Sequence, residues 1–162
     1  MPLAPFREIL IGKQISHVWR GFGSALFLEF GELSDIVFCQ DGSTRNPTGE
    51  ISLMIEWSWR IEKPRSILGG SWSSDGKWPG MFKKLLGSTV VDVSISTGLP
   101  ELILMLSSGL KLKSFMTAEG QPTWTIITRS PNLGTLQVKR GSLFVEATPN
   151  TSFKHGQLKL AP

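Results

Sequence analysis

Hydrophobic and polar residues alternate across Glu50–Glu62. Ile51, Leu53, Ile55, Trp57, Trp59 and Ile61 share one parity; Ser52, Glu56, Ser58, Arg60 and Glu62 share the other, with Met54 the apolar exception. Side chains on a strand point alternately to opposite faces, so this pattern predicts one long, half-buried strand over Ile51–Ile61 that anchors the core. Residues 1–8 read as a lead-in, since Pro2 and Pro5 oppose regular structure. Strands are predicted at Leu10–Trp19 and Ala25–Phe30, joined by the Gly21-Phe22-Gly23-Ser24 turn. From Gly31 to Gly49 the pattern weakens to a short apolar run, Ile36-Val37-Phe38, and a loop of turn formers from Asp41 to Gly49. Pro64 ends the long strand, and Ser66–Trp72 is a further short one.

Helical spacing occurs around 78–86. Pro79 sits near the start, Met81, Phe82, Leu85 and Leu86 repeat on one face, and Gly87 supplies the stop, predicting a single short connecting helix. Beyond it, Thr89–Ile95, Glu101–Leu106, Leu110–Phe115, Thr123–Ile127, Thr135–Lys139 and Ser142–Ala147 read as the strands of an antiparallel meander, with tight hairpins at Ser108-Gly109 and Arg140-Gly141. The segment 148–162 has little apolar material and is expected to be a loose tail or an edge strand.

The chain also matches itself. Leu10-Ile11-Gly12-x-x-Ile15-x-x-Val18 lies over Leu85-Leu86-Gly87-x-x-Val90-x-x-Val93, and Leu26, Leu28 and Phe30 lie over Leu102, Leu104 and Leu106 after a one-residue slip. Ile51-x-Leu53 follows in register with Leu110-x-Leu112, and Trp59-x-Ile61 with Trp124-x-Ile126. The expectation is an all-β, mainly antiparallel domain over 1–162, whose two similar meander halves, about 9–65 and 84–130, pack as a sandwich or partly open barrel. This layout resembles small bacterial two-repeat β proteins grouped only as domains of unknown function, over roughly residues 9–130. Some comparable proteins are immunity partners of secreted toxins, so the resemblance implies an immunity-like role without assigning any functional residue.

Composition narrows the classes. Of 162 residues, 40% are apolar and 19% charged, enough for a packed core and against a disordered chain. No apolar run reaches the ~20 residues of a membrane span, and the N-terminus lacks the pattern of a secretory signal. The single Cys39 fits a reducing compartment, so a cytoplasmic location is expected. The net charge of +4 arises in the second half, where Lys and Arg outnumber Asp and Glu by 9 to 4. The basic residues are scattered, which describes a solvated face better than a binding stripe.

Chemistry-bearing motifs are lacking. His17 and His155 are far apart and Cys39 has no second thiol, so neither metal nor cofactor is expected. No nucleophile elbow, phosphate loop or dinucleotide fingerprint occurs. Two surfaces remain. Trp72 and Trp78 flank the Asp75-Gly76 turn with Lys77, Lys83 and Lys84 nearby; this is either a cap on the core or a binding surface. As a binding surface it suits another protein, together with loop 31–49, and single-stranded nucleic acid is the less expected partner. The alternative is a ligand cavity lined by Trp57, Trp59, Glu56 and Arg60. A sheet edge covered by a second copy is a further possibility.

Overall fold

A computed structural model describes residues 2–119 and 123–147. These residues hold two α-helices, α1 (Leu3–Leu10) and α2 (Trp78–Leu85), a 3-10 turn at Asp75–Lys77 and thirteen strands. The strands are β1 (Ile15–Arg20), β2 (Leu26–Phe30), β3 (Val37–Phe38), β4 (Thr44–Arg45), β5 (Ile51–Ile55), β6 (Ser58–Lys63) and β7 (Ser66–Gly70). After α2 come β8 (Val90–Ile95), β9 (Leu102–Leu106), β10 (Lys111–Phe115), β11 (Trp124–Thr128), β12 (Thr135–Lys139) and β13 (Ser142–Glu146). The fold is an antiparallel β sandwich. One sheet runs β1-β2-β5-β11-β12-β13 and the other β7-β6-β10-β9-β8, with β3 and β4 a separate hairpin inside the 31–49 segment. The tail expected over 148–162 lies outside the described residues.

The predicted long strand is divided. Its buried parity is kept by Ile51, Leu53, Ile55, Trp59 and Ile61, but the backbone turns at Glu56-Trp57, where Trp57 has φ +66°. That turn carries the chain from one sheet into the other. β5 pairs with β2 and β11, placing Leu53 opposite Ile126 and Ile55 opposite Trp124. β6 pairs with β7 and β10, placing Ile61 opposite Leu112 and Trp59 opposite Ser114. Each meander, β1-β2-β5 and β8-β9-β10, thus passes its following strands to the sheet built on the other meander. One apolar cluster fills the space between the sheets, including Leu28, Phe30, Leu53, Trp59, Ile61, Leu104, Leu112, Trp124, Ile126 and Leu136. Each such fully buried aliphatic side chain contributes about 1.5–3 kcal/mol.

The helix expected near 78–86 is α2, burying Trp78, Met81 and Leu85. A helix also stands where a lead-in was expected: α1 buries Leu3, Phe6 and Leu10. Its prolines are harmless because Pro2 is the cap and Pro5 lies in the first turn, whose N–H groups have no helical partner. α1 packs against β8 and α2 against β1. Both helices end in the same way, at Gly12 (φ +83°) and Gly87 (φ +87°), a backbone region glycine enters at little cost. Reciprocal hydrogen bonds then join the two exits: Gly12 N–H to Val90 C=O at 2.8 Å and Gly87 N–H to Ile15 C=O at 2.9 Å. Ile15 N–H donates to Ser88 C=O at 2.8 Å and Val90 N–H to Lys13 C=O at 2.9 Å.

Candidate interaction surface

The end of the sandwich at which the chain crosses between sheets gathers several connections. The β1–β2 hairpin, the Glu56-Trp57 corner, the turn after β7 and the β8–β9 connection all lie there, as the registers of their strands require. Hydrogen bonds tie them together. Ser24 Oγ donates to Trp57 C=O at 2.8 Å, and Trp59 Nε1 donates to Ser24 C=O at 2.7 Å. Ser71 N–H donates to Trp59 C=O at 2.9 Å, and Glu56 N–H to Thr123 C=O at 3.0 Å. Arg20 spans the hairpin and the turn, donating from Nε to Gly23 C=O and pairing with Asp75, each at 2.8 Å.

This framework leaves large apolar side chains outside. Phe22 is 101% exposed, Trp72 87% and Trp57 55%, and Leu99 is exposed in the β8–β9 connection. Isolated exposed apolar residues are ordinary on a protein surface; three aromatics on interlocked turns at one end are less so. Beside Trp57 a small depression is lined by Phe115, Met116, Thr117, Ala118 and Thr123. The Thr123 hydroxyl, in a residue 8% exposed, has no hydrogen-bond partner among the described residues. A buried hydroxyl left unsatisfied costs about 1–3 kcal/mol.

The residues singled out from the sequence are divided by the fold. Trp72 and Lys77 are exposed at the crossing end, and Lys83 and Lys84 are exposed on the last turn of α2, where cations complement the helix dipole. Trp78 is not part of a binding surface. It is 3% exposed, packs edge-on against Trp59 at 5.1 Å and Phe82 at 5.8 Å, and lies under the Arg20 guanidinium at 3.9 Å. Its indole N–H donates to Ser73 C=O at 3.1 Å, so it caps the core. Loop 31–49 stands at the other end of the strands, where Gly31 N–H meets Gln14 C=O and His17 Nε2 is 2.9 Å from Asn46 Oδ1. It cannot share one surface with the turn after β7.

The cavity drawn from Trp57, Trp59, Glu56 and Arg60 does not form. Trp57 faces solvent, Trp59 is enclosed in the core and Glu56 sits at the corner. Arg60 lies on the outer face of the five-stranded sheet, with its guanidinium 5.2 Å from the Phe115 ring centre. There Arg60 and Lys113 flank Glu62 at 2.7 and 3.3 Å, and the Arg60 hydrogen bond is the main reason the Glu62 carboxyl is held below its usual pKa.

A buried polar cluster on the outer face of the six-stranded sheet had only one signal in the sequence, a glutamate between Leu28 and Phe30. Glu29 is 1% exposed and accepts hydrogen bonds from Ser52 Oγ, Gly49 N–H at 3.1 Å and Trp19 Nε1 at 3.2 Å. Arg129 donates to Ser52 Oγ at 2.7 Å and Gly49 C=O at 3.1 Å. Burial lowers the Arg129 pKa from its ordinary value and the Glu29 charge opposes that shift. The cluster fixes the end of loop 31–49 to the sheet, and its carboxylate and hydroxyl are too enclosed to meet a substrate. Among the described residues, no three His, Cys, Asp or Glu side chains gather as a metal site, and no helix is long and apolar enough to cross a membrane.

Exposed Phe22 and Leu99 are hidden in the sequence because apolar residues among glycines and prolines look like turn punctuation; their failure to join any alternating run is the available signal. Comparison with protein-family models, curated proteins and solved structures finds no match.

Proposed function

We propose that this protein is a non-catalytic protein–protein interaction module whose crossing end, with Phe22, Trp57 and Trp72, receives apolar side chains of a partner protein. The observation that carries this reading is the exposure of these three aromatics on turns hydrogen-bonded to one another. Aromatic anchors of this kind dominate binding energy when a partner desolvates them. The depression beside Trp57 adds specificity, because its lining of Phe115, Met116 and Ala118 suits an apolar group of the partner. Immunity towards a toxin, suggested by the resemblance to small two-repeat β proteins, is one form of this function.

The test compares tagged wild-type chain with F22S/W72S and with a control, I36S/F38S, altered at the opposite end. The expected result is a protein retained stoichiometrically by wild type and control and lost by F22S/W72S, while all three keep the same urea midpoint. Retention by F22S/W72S would reject the surface. Recovery of single-stranded nucleic acid instead, with affinity falling steeply as salt rises, would favour nucleic-acid binding.

A further inference from the structure

Strand β13 is the terminal strand of the six-stranded sheet among the described residues. It follows β12 through a two-residue turn, Arg140 (φ +50°) and Gly141 (φ +75°), closed by the Lys139–Ser142 pair. In such a hairpin the closing pair exchanges both backbone hydrogen bonds, and bonded pairs alternate with non-bonded ones. Gln137–Phe144 and Thr135–Glu146 are therefore bonded as well. The N–H and C=O groups of Ser142, Phe144 and Glu146 face β12, and those of Leu143 and Val145 face away from the sheet.

The other edges are better guarded. α2 packs on β1, α1 packs on β8, and β7 ends in two glycines after an irregular register with β6. β13 carries no proline, bulge or lysine, and exposes Phe144 (45%) and Val145 (43%). A straight apolar edge with free backbone groups is a template for another strand.

We infer that β13 pairs antiparallel with β13 of a second copy, about a twofold axis at Phe144, joining the two six-stranded sheets into one continuous sheet. This register places Leu143 of each copy opposite Val145 of the other, so both residues with outward-facing backbone groups are used, and each pair exchanges two hydrogen bonds. A slip of one residue would set those groups against ones already bonded to β12. The side chains agree with it. Leu143 and Val145 meet on the core face beside Leu136 and Val138, and the two Phe144 rings meet on the other. On that same outer face Glu146 of one copy lies opposite Ser142 of the other, towards Lys139, whose ammonium stands 4.4 Å from the Phe144 ring centre. The contact uses an edge distinct from the aromatic end and does not rest on the function proposed above.

The experiment uses the full 162-residue chain. Sedimentation across a dilution series should give a dimer that dissociates on dilution, and V145P should weaken it at least tenfold. Proline there removes an outward N–H and leaves the bonds to β12 intact. F144K, which sets two like charges face to face, should do the same, with circular dichroism and urea midpoints showing both variants folded. In a C39S background, F144C should be cross-linked between copies by mild oxidation, because non-bonded antiparallel neighbours stand at disulfide distance, whereas S142C should not. A monomer at every concentration, or a dimer indifferent to V145P and F144K, would overturn the inference.

Discussion

The indole N–H of Trp59 donates to the carbonyl oxygen of Ser24 across 2.7 Å, from inside the core to the hairpin that carries Phe22. Trp124 repeats the arrangement with Pro100, also at 2.7 Å, at the connection that carries Leu99. Each core tryptophan thus fixes an exposed turn. W59F should keep most of the apolar packing but strand the Ser24 carbonyl, lowering stability by about 1–3 kcal/mol. Urea unfolding followed by the remaining tryptophans measures it, and a loss near zero would show that the bond does not hold the hairpin.

Trp57 occupies the left-handed region at φ +66°, where a side chain with a Cβ is disfavoured. W57G removes that penalty and W57A retains it, so W57G should be the more stable of the two by about 1 kcal/mol. Both should weaken partner binding alike. Thermal or urea unfolding of the pair separates the backbone effect from the loss of the ring.

Ser52 stands between the Glu29 carboxylate and the Arg129 guanidinium. S52A takes a donor from the first and an acceptor from the second, and should cost about 1–3 kcal/mol. Because Gly49 bonds to both charged groups, its amide should exchange hydrogen faster in S52A by more than core amides such as Ile126, which accelerate only in proportion to the loss of global stability. Equal acceleration everywhere would show that the cluster does not pin the loop locally.

Two carboxyls set an acid limit. The backbone N–H of Glu32, with Lys13, holds Glu50 below its usual pKa, and Arg60, with Lys113, does the same for Glu62. A depressed folded-state pKa stabilises above the unfolded value, about 4.3, and that contribution is lost as pH falls through the folded value. Stability should therefore decline below about pH 4.3 from these groups, and E50Q should show a shallower decline. Urea midpoints between neutral pH and pH 3 test this, and an unchanged slope in E50Q would remove Glu50 from the account.

Parity made the core legible. The alternating residues of Ile51–Ile61, the leucines of β9 and the pattern around Trp124 name the core face because it takes apolar side chains while the opposite face takes mostly polar ones, some of them buried. Parity is blind to the path of the backbone, however: Trp57 has the spacing of a core residue and points to solvent because its own φ turns the chain. Likewise Pro2 and Pro5 obscured α1, although Leu3, Phe6 and Leu10 already had helical spacing, because a proline's effect depends on whether its missing N–H would have been used. The aromatic end was half legible. Trp72 was visible as a turn tryptophan, but its neighbour Trp78 was separated from it only by the packing of α2, and Phe22 joins it through contacts distant in sequence.

Because β6 and β7 complete the sheet begun by β8, β9 and β10, while β11 to β13 extend the one begun by β1, β2 and β5, neither half of the chain owns a finished sheet. A cut at Gly76 would therefore leave two pieces that each expose a strand meant for the other. Such fragments behave as a lock and its only key: mixed, they have a defined way to reassemble, and the protein becomes a natural candidate for a split reporter whose signal depends on both parts being present.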